Sequence, residues 1–131
     1  MPANRQIPTV GPATGAEMAA AITTISILRD TDAIDTLWRL GEALQKALRG
    51  LIDETGFPAE VVGYPVAPFL QFMHEDDPSV QKMKTAFFAM TTRHGVLFHP
   101  NHQWFLSAAH TDEDVELTID VCRAAIAAIM K

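Results

Sequence analysis

The segment EVVGYPVAPFLQFM, residues 60–73, decides the class of fold open to this sequence. It contains two short runs with strand character, Glu60–Gly63 and Pro68–Met73, joined through Gly63-Tyr64-Pro65. Glycine and proline favour turns, and a connection this short joins antiparallel strands. The segment therefore predicts a hairpin and, with it, a small antiparallel sheet in the middle of the chain.

Two helical patterns precede the hairpin. Apolar residues recur at helical spacing from Gly15 to about Asp30 and from about Asp32 to Thr55. The first pattern is strongly apolar, so we expect that helix to pack against a large surface. In the second, Gly41 weakens the helix relative to alanine, and we expect it to permit close backbone packing. The buried stripe of this second helix is predicted to be Ile34, Leu37, Gly41, Leu44, Leu48 and Leu51.

A helix, two further strands and a last helix are predicted after the hairpin. Asp77-Pro78 suits the start of the first of these helices, and Gly95 suits its end. The strands are predicted at Val96–His99 and Trp104–Ala108. The resulting order, ααββαββα, predicts an α+β fold in which helices cover a small antiparallel sheet. Residues 1–14 carry prolines without periodicity, so they are predicted to be an irregular lead-in to one domain, residues 15–131.

Composition excludes several classes of function. The 131 residues include 16 acidic and 10 basic ones, a net charge of −6, whereas nucleic-acid binders carry the opposite balance. No apolar run approaches the ~20 residues of a membrane span. A single cysteine, Cys122, excludes a disulfide framework and is typical of a reducing compartment. We therefore expect a cytoplasmic protein without nucleic-acid or membrane partners.

Four histidines between positions 94 and 110 raise the hypothesis of a metal site, because imidazole binds zinc, copper and nickel. Their spacing matches no HExxH pattern, and no CxxC accompanies them. The sequence therefore predicts no metal ligands. The four residues are His94, His99, His102 and His110.

No other residue set predicts catalysis. Cys122 lies on the apolar face of the last predicted helix, where burial makes a thiol inert. The acidic run Asp112–Asp114 follows Thr111, which caps that helix, and its charges suit the helix dipole. The segment Thr9–Gly15 leads into a helix and could cradle a phosphate on free amides, although it lacks the Gly-Lys-Ser/Thr of a Walker loop. Phe88 lies off the core stripe of its helix, and we expect it at an interface.

Three motifs carry a resemblance to a known enzyme family. They are Leu37-Trp38-Arg39-Leu40-Gly41 in a long helix, Arg93-His94-Gly95-Val96-Leu97-Phe98, and Ala109-His110-Thr111-Asp112-Glu113-Asp114-Val115. Over about residues 9–131 the chain resembles the C-terminal small domain of class III pyridoxal-phosphate (PLP) aminotransferases. The likeness is to the glutamate-1-semialdehyde 2,1-aminomutase-like branch, and it implies the small-domain type of fold seen in fold-type I PLP enzymes.

The resemblance also implies which parts of the chemistry this chain carries. In the family, the lysine that forms the Schiff base with PLP lies upstream of this segment. A threonine before the first helix binds the cofactor phosphate across the dimer, and that position falls on Val10, with Thr9 one residue away. The resemblance therefore implies Thr9 as a cofactor-binding residue if the register shifts by one, and no catalytic residue. It also implies that PLP, the cofactor of the family, is not bound by this chain alone.

Two functions remain open at this point. The first is a small-domain fragment or remnant of an aminotransferase, inactive alone. In this interpretation the apolar helix Met18–Leu28 is the surface left bare by loss of the large domain, and the chain forms a homo-oligomer or docks on a large-domain aminotransferase chain. The alternative is a non-catalytic interaction module that self-associates through the exposed apolar helix Met18–Leu28.

Overall fold

The computed structural model describes residues 14–131, which form four helices and two strands. They are α1 (Gly15–Asp30), α2 (Ala33–Thr55), β1 (Ala59–Tyr64), β2 (Ala67–Phe72), α3 (Pro78–Arg93) and α4 (Asp112–Ile129). This α+β architecture confirms the predicted fold class. Within residues 14–131, every helix falls short of the length and hydropathy that a bilayer-spanning helix needs.

The chain divides into two compact units, one ending at Ala33 and the other running from Ile34 to Lys131. The prediction of a single domain over residues 15–131 stays a prediction. The predicted irregular lead-in lies, except for Thr14, outside the described residues.

α1 has the bounds that its periodicity predicts, and Thr14 and Glu17 form a capping box at its N-terminus. The Thr14 hydroxyl accepts a hydrogen bond from the Glu17 amide at 3.3 Å, and the Glu17 carboxylate accepts one from the Thr14 amide at 2.5 Å. These reciprocal bonds satisfy amides that a helix start otherwise leaves unpaired. Within residues 15–30 no side chain is buried, and Met18, Ile22 and Ile25 are each more than half exposed.

β1 and β2 form the predicted hairpin, and each strand lies within one residue of its predicted bounds. They pair antiparallel, from Ala59 opposite Phe72 to Tyr64 opposite Ala67. One face of the hairpin is buried in the core, as the alternation of side chains in a sheet requires. The buried residues on that face are Ala59, Val61, Leu70 and Phe72.

The outer edge of β1 is covered by side chains of α2. The Gln45 amide donates to the Gly63 carbonyl at 3.0 Å, and the Arg49 guanidinium donates to the Val61 carbonyl at 3.2 Å. Gln45 is itself buried, so the polar contact is part of the packed interior. Carbonyl groups that a third strand would bond are therefore already satisfied.

Gly41 brings α2 against the hairpin. A Cβ on Gly41 would collide with the backbone carbonyl of Pro65, in the turn between β1 and β2. The expectation that Gly41 permits close backbone packing is confirmed. Most of the predicted α2 stripe is also buried, but Ile34 is 47% exposed, whereas Leu40, which lies outside that stripe, is fully buried.

Phenylalanine rings form the centre of the core. The ring of Phe87 on α3 lies 5.6 Å from that of Phe57, 6.4 Å from that of Phe72 and 5.4 Å from that of Phe88, measured between centroids. Phe88 is buried as well, so the expectation that it lies at an interface is wrong. The reason is that α3 packs against α4 and its Phe88 ring also meets Phe72 of β2, at 6.0 Å, so the helix buries more than one stripe.

The two further strands predicted at Val96–His99 and Trp104–Ala108 do not form, and the order within residues 14–131 is ααββαα. The Trp104 amide does donate to the Pro68 carbonyl at 2.8 Å, and the Leu106 amide donates to the Val66 carbonyl at 3.1 Å. Pro68 has no N–H with which to return the bond that an antiparallel ladder needs. Val66, just before β2, does not return a bond to Leu106 either, so the contact is one-sided at both positions and Pro68 accounts for one of them.

The predicted capping residues are confirmed at α3 and α4. Asp77 accepts a hydrogen bond from the Ser79 amide at 2.8 Å, and Pro78 occupies the first turn of α3. Gly95 follows α3 with a φ of +87°, a left-handed conformation that suits glycine. Thr111 caps α4 in a reciprocal pair with Asp114.

Candidate functional site

Residues 95–110, which we call the α3–α4 segment, are irregular but held at defined points. The Trp104 indole Nε1 donates to the His99 carbonyl at 3.0 Å, and its ring stacks on Phe98 at a centroid distance of 3.8 Å. Near its end, Nδ1 of His110 accepts a hydrogen bond from the Ser107 amide at 2.9 Å. The segment therefore holds its remaining side chains in defined directions.

Side chains of the α3–α4 segment alternate between core and surface, as in an extended strand. Leu97 and Phe105 are 83% and 64% exposed. Their even-numbered neighbours are buried or packed partly buried against the core: Val96, Phe98, Trp104 and Leu106. The segments predicted as strands, Val96–His99 and Trp104–Ala108, therefore share the side-chain alternation of a strand, although neither forms one.

Leu97 and Phe105 border a cleft between the α3–α4 segment and the first half of α4, where Leu117 completes the apolar lining. We call it the α4 cleft. Its volume is about 230 Å³. Ligand pockets usually enclose roughly 300–1,000 Å³, so this cleft suits a side chain better than a cofactor. The sequence did not single out these three residues, because their meeting depends on how the segment folds back on α4.

The polar side chains that line the α4 cleft are used by the fold. Nδ1 of His110 accepts the Ser107 amide, which places the proton of a neutral ring on Nε2. The Asp114 carboxylate accepts bonds from the Thr111 amide at 2.8 Å and from its hydroxyl at 3.1 Å. These bonds close a turn and a helix start. The Ser107 hydroxyl also lies 3.3 Å from Nδ1 of His110, but that nitrogen already accepts the Ser107 amide, so the contact is part of the same turn.

The side chains of His99 and His102 make local contacts within the α3–α4 segment. Nδ1 of His99 accepts the Asn101 amide at 3.2 Å, and Nδ1 of His102 lies 2.8 Å from the Gln103 carbonyl. The rings of His99 and His102 are 5.8 Å apart. Across residues 14–131, no three histidine, cysteine, aspartate or glutamate side chains converge as metal ligands would.

One of the four lysines has a structural role. The Lys84 ammonium on α3 donates to the Glu75 carboxylate at 2.8 Å and to the Asn101 side-chain oxygen at 2.9 Å. It thereby ties the α3–α4 segment to the loop that follows β2. The other three are exposed, on α2, on α3 and at the chain end: Lys46, Lys82 and Lys131.

Cys122 is buried and inert, as predicted. It lies in the core on the same face of α4 as Ile119 and Ile126. Loss of hydration raises the pKa of its thiol to about 12. A thiol that stays protonated at neutral pH is a poor nucleophile, so the structural interpretation of this cysteine is confirmed.

The acidic run at the start of α4 also serves the fold. The Arg39 guanidinium on α2 contacts the Asp112 carboxylate at 2.5 Å and 3.1 Å. This hydrogen bond holds the pKa of Asp112 below its ordinary value. Asp114 is taken up by the cap on Thr111, so the run does not form an acid–base pair.

The predicted cofactor contact, Thr9, lies outside the described residues, as does Val10. Of the phosphate-cradling segment predicted at Thr9–Gly15, only Thr14 and Gly15 are described. The amide of Glu17, at this helix start, already donates to the Thr14 side chain.

Comparison with known proteins identifies relatives. No protein-family model matches the chain. The aminopentol aminotransferase of Sphingopyxis macrogoltabida is 36% identical over 114 residues, which are 87% of this chain and 26% of that protein. The glutamate-1-semialdehyde 2,1-aminomutase of Thermomicrobium roseum is 32% identical over 123 residues, covering 87% of this chain and 29% of that protein.

A solved structure agrees with these sequence matches. The PLP internal aldimine form of the FumI protein from Sphingopyxis sp. MTA144 superposes with a TM-score of 0.78 at 33% identity. The match covers 90% of this chain and 29% of that one. The chain thus spans 26–29% of the length of the relatives it matches. The shared sequence and the shared α+β fold show that the chain belongs to the class III PLP-dependent aminotransferases, as a segment equivalent to their small domain.

Proposed function

We propose that this chain acts as the small domain of a glutamate-1-semialdehyde aminomutase-like aminotransferase and does not turn over substrate by itself. The observation that carries the proposal is the match to only 26–29% of each relative. In this proposal the small domain forms one wall of an active site, and the rest of a dimeric aminotransferase supplies the reacting groups. The reaction is transfer of an amino group on a small amino or keto acid.

The lysines support the view that the chain is inactive alone. In such enzymes PLP is carried on a lysine amine and supplies an electron sink to the bonds at the amine-bearing carbon. Here Lys84 is ion-paired with Glu75, and the other three lysines are exposed rather than set in a cleft. Lys84 borders a cleft of about 490 Å³, but its ammonium already donates to Glu75 and Asn101, which supports the proposal that this chain does not carry the coenzyme alone.

Thr9 remains the proposed phosphate contact across a dimer. A threonine hydroxyl can donate to a phosphate oxygen, whereas the side chain of Val10 cannot. In a dimer assembled with a large-domain chain, we expect Thr9→Ala to weaken PLP retention during dialysis and Val10→Ala to leave it unchanged. Equal retention in the Thr9→Ala variant and the parent would remove Thr9 from the site.

The test of inactivity uses the purified 131-residue chain and PLP. Absorbance spectra are recorded before and after borohydride reduction, the reduced protein is mapped by mass spectrometry, and transamination of glutamate semialdehyde and alanine is assayed. We expect that no one lysine carries a stoichiometric reduced PLP adduct and that neither substrate is transaminated. A stoichiometric adduct at one lysine together with transamination would overturn the proposal.

A second candidate function, the self-associating interaction module, is favoured by one observation, the exposure of Met18, Ile22 and Ile25 on α1. The neighbouring coding sequence discriminates between the two. An upstream frame that encodes the lysine-bearing large domain favours the aminotransferase, and its absence favours the module. A cytoplasmic location is part of the first proposal and is supported by the free, buried Cys122.

A further inference from the structure

The α4 cleft carries apolar side chains that the fold does not require. Alternation along the α3–α4 segment directs positions 97 and 105 to the surface, where a polar residue would serve equally well. Instead Leu97 and Phe105 are mostly exposed there, and Leu117 joins them from α4 at 54% exposure. Large apolar side chains grouped around one concave surface are typical of a binding surface, unlike apolar residues scattered singly.

The walls of the cleft are already ordered. The Trp104 indole donates a hydrogen bond to the His99 carbonyl, and the Lys84 ammonium donates one to the side chain of Asn101 in the same segment. On the opposite wall, the cap on Thr111 fixes the first turn of α4. A partner therefore binds without the entropy cost of ordering this surface.

The charges at the rim are acidic. Asp114 lines the cleft, and Glu113 is exposed beside it at the start of α4. The charge of the neighbouring Asp112 is already paired with Arg39. A complementary partner surface presents an apolar side chain flanked by basic residues.

We propose that the α4 cleft is the surface on which the large-domain part of an aminotransferase docks. An apolar side chain of that part, flanked by basic residues, inserts beside Phe105 and Leu117. This inference rests on the proposed function. The relatives carry more than two thirds of their length outside the matched segment, so a partner of sufficient size exists in each of them.

The test replaces the matched segment of the Sphingopyxis macrogoltabida aminopentol aminotransferase with this chain. Hydrogen exchange is compared between the isolated chain and the chimera, at the amides of residues 97–106 and 112–118. We expect at least tenfold slower exchange in the chimera. The double variant Phe105→Ser/Leu117→Ser is expected to abolish that protection and lower the melting temperature of the chimera, while leaving the melting temperature of the isolated chain unchanged.

Tyr64→Ser is the matched control, because Tyr64 is an aromatic residue 72% exposed outside the cleft. We expect it to leave cleft protection unchanged. An active chimera whose cleft amides exchange as fast as in the isolated chain, and which tolerates the double variant, would overturn the docking inference while the proposed function stands. A folded chimera that protects the cleft but lacks the parent's activity would count against the proposed function instead. If the chimera that contains the whole chain does not fold, a chimera that contains only residues 95–118 of it supplies the same readouts.

Discussion

The carbonyl group of Pro65 lies against Gly41 so closely that no side chain could occupy that position of α2. The side chains of Gln45 and Arg49 donate hydrogen bonds to carbonyls of β1. They lie four and eight residues after Gly41 on the same helix. Residues four apart share one face of a helix, so a single row on α2 positions the hairpin at its turn and along its edge. The hairpin in turn supplies the carbonyl groups that hold Trp104 and the α3–α4 segment.

Replacing Gly41 with alanine is expected to destabilise the chain. The added Cβ must displace the Pro65 backbone, and overpacking of this kind costs about 1–3 kcal/mol, against a gain of about 1 kcal/mol in helix propensity. Gly50→Ala is the matched control, since a Cβ there meets nothing within 4 Å and should stabilise α2. Urea unfolding of both variants measures the difference. A stabilised Gly41→Ala variant would contradict the close approach described here.

Replacing Pro68 with alanine is expected to extend the sheet. The new amide can donate to the Trp104 carbonyl and make the present one-way contact reciprocal. The new bond contributes about 1 kcal/mol, and loss of proline's rigidity in the unfolded chain offsets most of it. We therefore expect near-unchanged stability but a slowly exchanging amide at position 68. Rapid exchange of that amide would show that proline is not what prevents the third strand.

Truncation of Phe87 tests the centre of the core. Its ring contacts those of Phe57, Phe72 and Phe88, so Phe87→Ala is expected to lower the free energy of unfolding by about 3–5 kcal/mol. Phe105→Ala removes an exposed ring of the same size and should change it by less than about 0.5 kcal/mol in the isolated chain. Thermal or urea unfolding monitors both. Similar losses in the two variants would contradict the assignment of core and surface.

The Cys122 thiol predicts a loss of stability at alkaline pH. Its pKa is raised from 9.0 to about 12 in the folded chain, so the unfolded chain loses the proton first as the pH rises. The stability that comes from burying the protonated thiol is fully present below about pH 9. It is lost toward pH 12, at up to about 1.4 kcal/mol per pH unit. The free energy of unfolding of the parent minus that of Cys122→Ala should therefore fall above pH 9. A difference that stays constant from pH 8 to pH 11 would contradict the raised pKa.

Local signals predicted most of the fold. The caps Asp77 and Thr111 and the left-handed Gly95 each depend on a few neighbouring residues, and the structure confirms all three. The strand predicted at Trp104–Ala108 failed partly for a long-range reason: Pro68 is far along the chain from Trp104, and its missing N–H matters only once the two are adjacent. The strand predicted at Val96–His99 has no pairing strand within residues 14–131. Phe88 was misplaced because a single stripe was assumed for a helix that packs on two sides.

The candidate site was less predictable than the fold. Leu97, Phe105 and Leu117 are unremarkable apolar residues in the sequence, and only the fold brings them around one cleft. The predicted contact Thr9 lies outside the described residues and stays a prediction. The family, by contrast, was predictable, because motifs such as Ala109–Val115 carry order and spacing that single side chains do not.

The side chains of Gln45 and Arg49 along β1 have a consequence for the behaviour of this chain in solution. Aggregation into cross-β fibrils begins when an incoming polypeptide aligns with unoccupied backbone groups at the margin of a sheet. Here two of the carbonyls at that margin are taken, and at the opposite margin the Pro68 carbonyl accepts the Trp104 amide. A chain equivalent to under a third of an aminotransferase thus has a built-in safeguard against templated polymerisation at its hairpin.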